Sequence, residues 1–333
     1  MRRRLRTLGA LVTLSASLLA CGTTTATAAT PTSPTSAATW VVSNPRIVAR
    51  FDVNTGQSPE GIALEPTGSA LISLANASAV VRVRRDGRVE PVGQLPRSGA
   101  CPILGGSYSS GIARGPDGTV YVLNCTGNAD SGVWRIRRGG APEQIARLPV
   151  QAFPNGLALD ERTGDLYAAD SALGVVWKVP TTGGTPRVWA SGPELTRDAL
   201  FGANGITVHR GQVWVSNTDR GTIMRIPIGA GGAAGPIRTM VSGLTGGVDN
   251  FTVFGPDDTI LAPLIATNEI VLIRPGQQPR VVLTAADGLS NPTHVQLRGD
   301  TVYVSNSAFF TRVDPNLLVA HLDRRAPATR TAA

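Results

Sequence analysis

Six short segments recur along the chain, and each carries a small or polar oxygen-bearing side chain at its second position. They are Pro59-Glu60-Gly61-Ile62, Ser109-Ser110-Gly111-Ile112, Pro154-Asn155-Gly156-Leu157, Ala203-Asn204-Gly205-Ile206, Val248-Asp249-Asn250-Phe251 and Pro292-Thr293-His294-Val295. Brought to one place, Glu60, Asn155, Asn204, Asp249 and the adjacent Asn250 form a hard, oxygen-only donor set. Calcium prefers such a set, taking roughly 6 to 8 oxygens at about 2.3–2.6 Å, and Ca2+ or another divalent cation is the expected cofactor. A Glu and an Asp at equivalent positions repel each other unless a cation or a proton lies between them. The competing reading of each Asn-Gly is a tight turn, in which the side-chain oxygen bonds the backbone two residues on.

Other chemistry is sparse. Ser109, Ser110 and Thr293 fall at the same level and are expected to line a substrate channel. A Ser-His-Asp arrangement would have to join Ser109 or Ser110 to His294, with no Gly-x-Ser-x-Gly elbow to support it. His294 borders the proposed channel and is a candidate catalytic residue; His209 falls in a predicted turn and His321 in the C-terminal tail. Asp170, in Tyr167-Ala168-Ala169-Asp170-Ser171, is a candidate general base or supporting carboxylate, with backbone bonding as its alternative. Asn124, Asn217 and Asn306 end equivalent segments, which argues for a shared structural use.

The elements that would gather these residues follow from their spacing. The second positions are 50, 45, 49, 45 and 44 residues apart, a period that fits four short strands and their turns. After turn signals such as Gly115-Pro116-Asp117-Gly118 come alternating runs, including Val120-Tyr121-Val122, Val213-Trp214-Val215 and Val302-Tyr303-Val304. Third and fourth runs follow, as in Val176-Trp177-Lys178-Val179 and Arg280-Val281-Val282-Leu283. The fold expected is an all-β, six-bladed β-propeller over residues 41–314 with four-stranded blades. Such a ring closes when one terminus completes the blade begun by the other. Arg46-Ile47-Val48-Ala49-Arg50-Phe51 resembles the fourth strands and is expected to complete the last blade. The last repeat runs out after Phe309-Phe310-Thr311-Arg312-Val313, leaving 315–333 as an extension in which Leu317-Leu318-Val319-Ala320 caps the outside.

The termini carry an address. Arg2, Arg3, Arg4 and Arg6 precede the apolar run Leu8–Ala20, a targeting pattern, so export is expected. Leu18-Leu19-Ala20-Cys21 resembles a lipoprotein signal with lipidation at Cys21, whereas Ala26-Thr27-Ala28 resembles an ordinary cleavage site. Residues 22–40, rich in Thr, Ala, Ser and Pro, form a tether. The location expected is the cell surface as a lipoprotein, or the secreted fraction, with membrane contact only through a possible lipid anchor. Cys101 and Cys125 then remain as an even pair and are expected to form a disulfide. The formal charge of +8 falls to +8 − 4 = +4 without the four leader arginines. The basic residues are scattered, with Lys178 the only lysine, which excludes a nucleic-acid surface. A small-molecule partner and a monomeric chain are expected.

From about Arg46 to Val313 the sequence resembles the senescence marker protein/gluconolactonase-like propellers, relatives of the paraoxonase/arylesterase and strictosidine synthase-like propellers. The resemblance rests chiefly on Phe153-Pro154-Asn155-Gly156-Leu157-Ala158-Leu159, Tyr167–Ser171 and Gly202-Ala203-Asn204-Gly205-Ile206. It implies one divalent metal in the channel, held by Glu60 and Asn155, and hydrolysis of a lactone or ester. Asn204 stands where gluconolactonase-like members have Asp, and Ser109-Ser110 where they have a substrate-contacting Asn. The arylesterase-like pattern resembles Glu60, Asn155, Asn204 and Asp249-Asn250, but its catalytic histidines have no match. A non-catalytic, surface-tethered binding propeller and a non-hydrolytic enzyme of secondary metabolism are the alternatives.

Overall fold

The computed structural model describes residues 39–325. The targeting run, Cys21 and most of the tether lie outside the described residues, as does the chain beyond Arg325. Within them, six antiparallel sheets of four strands follow one another in chain order. The innermost strands are Pro59–Leu64, Tyr108–Arg114, Pro154–Asp160, Ala203–His209, Thr252–Phe254 and Pro292–Arg298, so each repeated segment starts or precedes an inner strand. The architecture is the six-bladed propeller that the repeat period implied.

The apolar residues of each alternating strand pack against the next blade, so the core is divided into layers between neighbouring blades. Leu157, Leu166 and Val179 of the third blade meet Leu123, Val133 and Ile145 of the second. Ile206, Val215 and Met224 of the fourth meet Tyr167, Ala169 and Val176 of the third. The ring closes through Ile62 and Ile72 of the first blade against Leu317 and Val319 of the sixth.

The sixth blade corrects one boundary. Its order from the axis outward is Pro292–Arg298, Thr301–Asn306, Asn316–Arg325 and Thr39–Arg50. The N-terminal strand is therefore the outermost fourth strand, as expected, paired for instance through Ile47 with Leu318. The segment expected to cap the outside is instead the third strand, paired through Val304 with Leu318. Leu317, Leu318, Val319 and Ala320 are all buried because a strand inside a blade faces apolar neighbours on both sides.

Cys101 and Cys125 form a disulfide across 24 residues, tying the loop before the second blade to the end of that blade's second strand.

Candidate functional site

Close approach around the axis explains the repeated glycine. Gly111, Gly156 and Gly205 are absent from the positive-φ positions and sit inside strands. A Cβ on Gly156 would lie 2.4 Å from the Asn204 carbonyl oxygen, and one on Gly205 would lie 2.4 Å from that of Asp249. Each Asn-Gly is thus a strand start pressed against the next blade, which removes the turn reading. In the fifth and sixth blades the equivalent residues are Asn250 and His294, and there the backbones pair directly as a parallel bridge.

The preceding side chains meet. Glu60, Asn155, Asn204 and Asp249 form the floor of one cavity of about 620 Å³ at the channel mouth. Asn155 Nδ2 donates to Ser171 Oγ (3.2 Å), whose own proton goes to the Ala203 carbonyl at 2.8 Å. Asn204 Nδ2 likewise donates to Thr218 Oγ1 (2.7 Å), which donates to the Val248 carbonyl at 2.9 Å. Because each hydroxyl proton is committed to a carbonyl, the hydroxyl can only accept from the amide, and that fixes which end of the amide faces inward. Asn155 Oδ1 and Asn204 Oδ1 are left buried without a hydrogen-bond partner. Such groups are costly and call for an explanation.

The carboxylates are equally constrained. Glu60 is 1% exposed; Ser307 Oγ, whose single proton is shared with the Pro59 carbonyl, lies 3.2 Å from its Oε2, and the Tyr108 phenol also hydrogen-bonds it. Burial outweighs these bonds and pushes the Glu60 carboxyl up to about 7. Burial, and then the charge of Glu60, hold the Asp249 carboxyl well above its usual range. Without a cation, the pair therefore retains a proton near neutrality. Asn250 stands beside this floor, donating to Asp249 Oδ1 at 3.1 Å.

Among the described residues no three His, Cys, Asp or Glu come together. A cation here would depend on two carboxylates and two amide oxygens, and the buried, unpartnered Asn oxygens fit that need.

The remaining candidates go elsewhere. Asp170 spends Oδ1 on the N–H groups of Phe153 (3.0 Å), Ala172 (3.1 Å) and Leu173 (3.0 Å), and Oδ2 on Trp177 Nε1 at 2.9 Å. It knots its own blade together and does not line the cavity, so the structure assigns it the backbone-bonding alternative and not the role of base. His294 Nδ1 accepts from the Ile62 N–H at 3.0 Å, and burial pushes its pKa down to about 3. It lines the opposite channel mouth, so it joins the sixth blade to the first as a neutral ring. Ser109 bonds Asn124 at 3.1 Å, Ser110 donates to the Pro154 carbonyl at 2.8 Å, and Thr293 donates to the Glu60 carbonyl at 3.1 Å. All three are ties within or between blades and none lines the cavity.

Sequence reasoning missed Tyr108 and the hydroxyls of Ser171, Thr218 and Ser307. The signal was present: these hydroxyls directly follow Asp170, Asn217 and Asn306, at the ends of the second strands. Replacing Thr218 by Val should free the Asn204 amide to rotate. We expect about 1 kcal/mol of lost stability, read by thermal melts.

An oxygen-floored, six-bladed propeller is the class that fold and site define. Residues 61–250 match the family described as a repeat of unknown function (DUF6923), and the chain belongs to that family. No curated protein matches the sequence. Solved structures are similar in fold. One is a calcium-binding protein, regucalcin, from Agrobacterium tumefaciens (14% identity, 85% of this chain and 95% of that one, TM-score 0.63). Another is a gluconolactonase from Xanthomonas campestris (15% identity, 87% and 99%, TM-score 0.58). A third is the PQQ-bound aldose sugar dehydrogenase of Streptomyces coelicolor (17% identity, 87% and 100%, TM-score 0.62).

Proposed function

We propose that the protein is an exported, calcium-dependent hydrolase of a lactone or ester, with the channel floor as its active site. One observation carries the reading: the buried, unpartnered Asn155 Oδ1 and Asn204 Oδ1 share a cavity floor with the Glu60 and Asp249 carboxyls. The fold likeness to a gluconolactonase and to calcium-binding regucalcin supports it.

Glu60, Asn155, Asn204 and Asp249 would hold the cation, with Asn250 bracing Asp249. The chemistry supplied by a divalent cation there is Lewis-acid polarisation of a carbonyl or of water. The chain's own groups do the rest. Tyr108 and Ser307 fix the Glu60 carboxylate, the Ser171 and Thr218 hydroxyls aim the amides, and Phe153 and Phe309 limit water at the mouth. Hydrolysis joins the oxygen of water to the carbonyl carbon and breaks the acyl C–O bond, with the proton passing to the departing alkoxide.

The test is metal content and turnover together. Purified protein is expected to carry one equivalent of divalent cation. Chelation should abolish hydrolysis of lactones and aryl esters and lower Tm, removing about 4 kcal/mol of the stability present at a thousandfold excess over Kd. A chelator-induced fall in Tm with no hydrolysis in any condition would leave a binding propeller and end the hydrolase reading. For export, Cys21→Ser should move the protein from the membrane fraction to the medium.

A further inference from the structure

Above the polar floor the cavity changes character. Its apolar wall is built by Leu104, Tyr108, Phe153, Phe201, Phe309 and Phe310, with Asn76, Asp219 and Arg312 also lining it. Four of the rings form a continuous cluster: Tyr108 and Phe153 lie 5.5 Å apart, Phe153 and Phe201 5.7 Å, and Tyr108 and Phe309 6.0 Å. The disulfide belongs to the same cluster, with Cys101, Cys125, Tyr108 and Phe153 buried together. The loop it anchors carries Leu104 to the rim, closed by Cys101 N–H to Gly106 carbonyl and Gly105 N–H to Cys101 carbonyl bonds of 3.0 Å each. One wall is therefore pinned in place before any ligand arrives.

Leu104 and Phe310 leave 44% and 67% of their surface exposed. Clustered apolar exposure beside a concave site marks a surface that something covers. A sugar lactone does not suit it. Each hydroxyl withdrawn from water needs a partner, and the polar lining is small: Asn76 and Arg312 stand exposed at the rim, while Asp219 and Thr218 are spent on protein groups. The Asp219 carboxylate accepts from the N–H groups of Asp198 (3.0 Å), Ala199 (2.6 Å) and Phe201 (3.1 Å), and Thr218 is committed to the Val248 carbonyl.

Resting on the hydrolase reading of the floor, we infer that the substrate is an apolar lactone or ester whose alkyl or aryl part packs against the Phe153–Phe201–Phe309–Phe310 wall while its carbonyl reaches the floor. The wall sets specificity, and polyhydroxylated lactones are disfavoured because Asn76 and Arg312 are too few to meet all their hydroxyls.

The experiment uses calcium-loaded protein and a series of γ-lactones with lengthening alkyl tails, with glucono-1,5-lactone as the polar comparison. Each added methylene should raise kcat/KM about two- to fourfold until the cavity fills, and glucono-1,5-lactone should be the poorest substrate. Phe309→Ala and the rim variant Phe310→Ala should each raise KM roughly tenfold for the longest member, raise it progressively less as the tail shortens, and leave the bound calcium unchanged. A preference for glucono-1,5-lactone, or no dependence on tail length, overturns the inference while leaving a hydrolase. If nothing is hydrolysed, the same series is measured by displacement of anilinonaphthalene sulfonate. Displacement that strengthens with tail length and weakens in Phe309→Ala keeps the apolar site and discards the hydrolase; displacement independent of tail length discards the apolar site.

Discussion

Freed of divalent cation, the propeller should become less stable as the pH rises from about 5 to about 8, and calcium should reverse that trend. Glu60 has its folded pKa raised to about 7 from an ordinary value of 4.5. A raised carboxyl binds its proton more tightly folded than unfolded, so its contribution is fully present below pH 4.5 and lost as the pH climbs through about 7. Asp249 moves the same way for the same reason, burial beside Glu60, and extends the loss to higher pH. His294 acts oppositely: with its pKa depressed to about 3 from 6.5, its burial costs stability only as the pH falls below 6.5. Two carboxyls outweigh one imidazole. The comparison of calcium-loaded with chelated protein at each pH cancels His294 in any case. Calcium competes with the shared proton, so its stabilisation grows over the range in which the apo protein weakens.

Glu60→Gln removes the Glu60 titration together with the charge that helps raise Asp249, while the Ser307 and Tyr108 hydroxyls can bond an amide as well as a carboxylate. The wild-type carboxyl loses roughly 1.4 kcal/mol for each pH unit climbed between its unfolded and folded pKa values. At about pH 8 the apo variant should therefore be more stable than the wild type by about 3 kcal/mol, and the advantage should vanish near pH 4.5, the ordinary value of the carboxyl. Its calcium affinity should fall at least a hundredfold. Thermal melts with and without chelator across the pH range read both results. An apo wild type whose stability rises with pH in parallel with the variant would show that Glu60 is not buried among the oxygens described.

That floor was legible because a propeller repeats one geometry around an axis. Equivalent sequence positions become equivalent places, and the spacing of Glu60, Asn155, Asn204 and Asp249 was enough to bring them together. Residue type alone could not say which neighbour a side chain spends its hydrogen bonds on. Asp170 looks like a base, yet three backbone N–H groups and Trp177 occupy it. His294 looks like a channel residue, yet it caps an N–H of the first blade from the far side. The third strand of the sixth blade was hidden for a related reason: Leu317–Ala320 has no polar alternation, since both its faces are covered, and an unbroken apolar run of four residues carries no period. The aromatic mouth was only partly legible. Tyr108 and Phe153 do share one repeat position, two residues before Ser110 and Asn155, but Phe201 falls one residue earlier in its repeat and Phe309 follows the second strand of the last blade, so no single position marks the wall.

Replacing Gly156 by Ala should cost at least about 3 kcal/mol and leave much of the protein insoluble, a larger loss than surface glycines elsewhere would show. The added Cβ would meet the Asn204 carbonyl oxygen at 2.4 Å, the Ile206 nitrogen at 2.8 Å and Asn250 Oδ1 at 2.9 Å. The first two are strand backbone and cannot rotate away, so the third and fourth blades must separate at the axis, which strips the packing of Leu157 and Ile206 and splays the amides on the floor. Gly140→Ala supplies the control, because its Cβ would meet nothing closer than 3.4 Å and its φ is not positive; it should change stability by less than about 0.5 kcal/mol. The decisive variant is Gly156→Asn. Were the Asn-Gly pair a turn with φ above zero, Asn would be among the best-tolerated replacements; where the glycine instead admits the backbone of the next blade, Asn must be worse than Ala. Solubility and Tm of the three variants separate the cases, and a well-folded Gly156→Asn protein would place Asn155 in a turn and take the amide oxygens away from the axis.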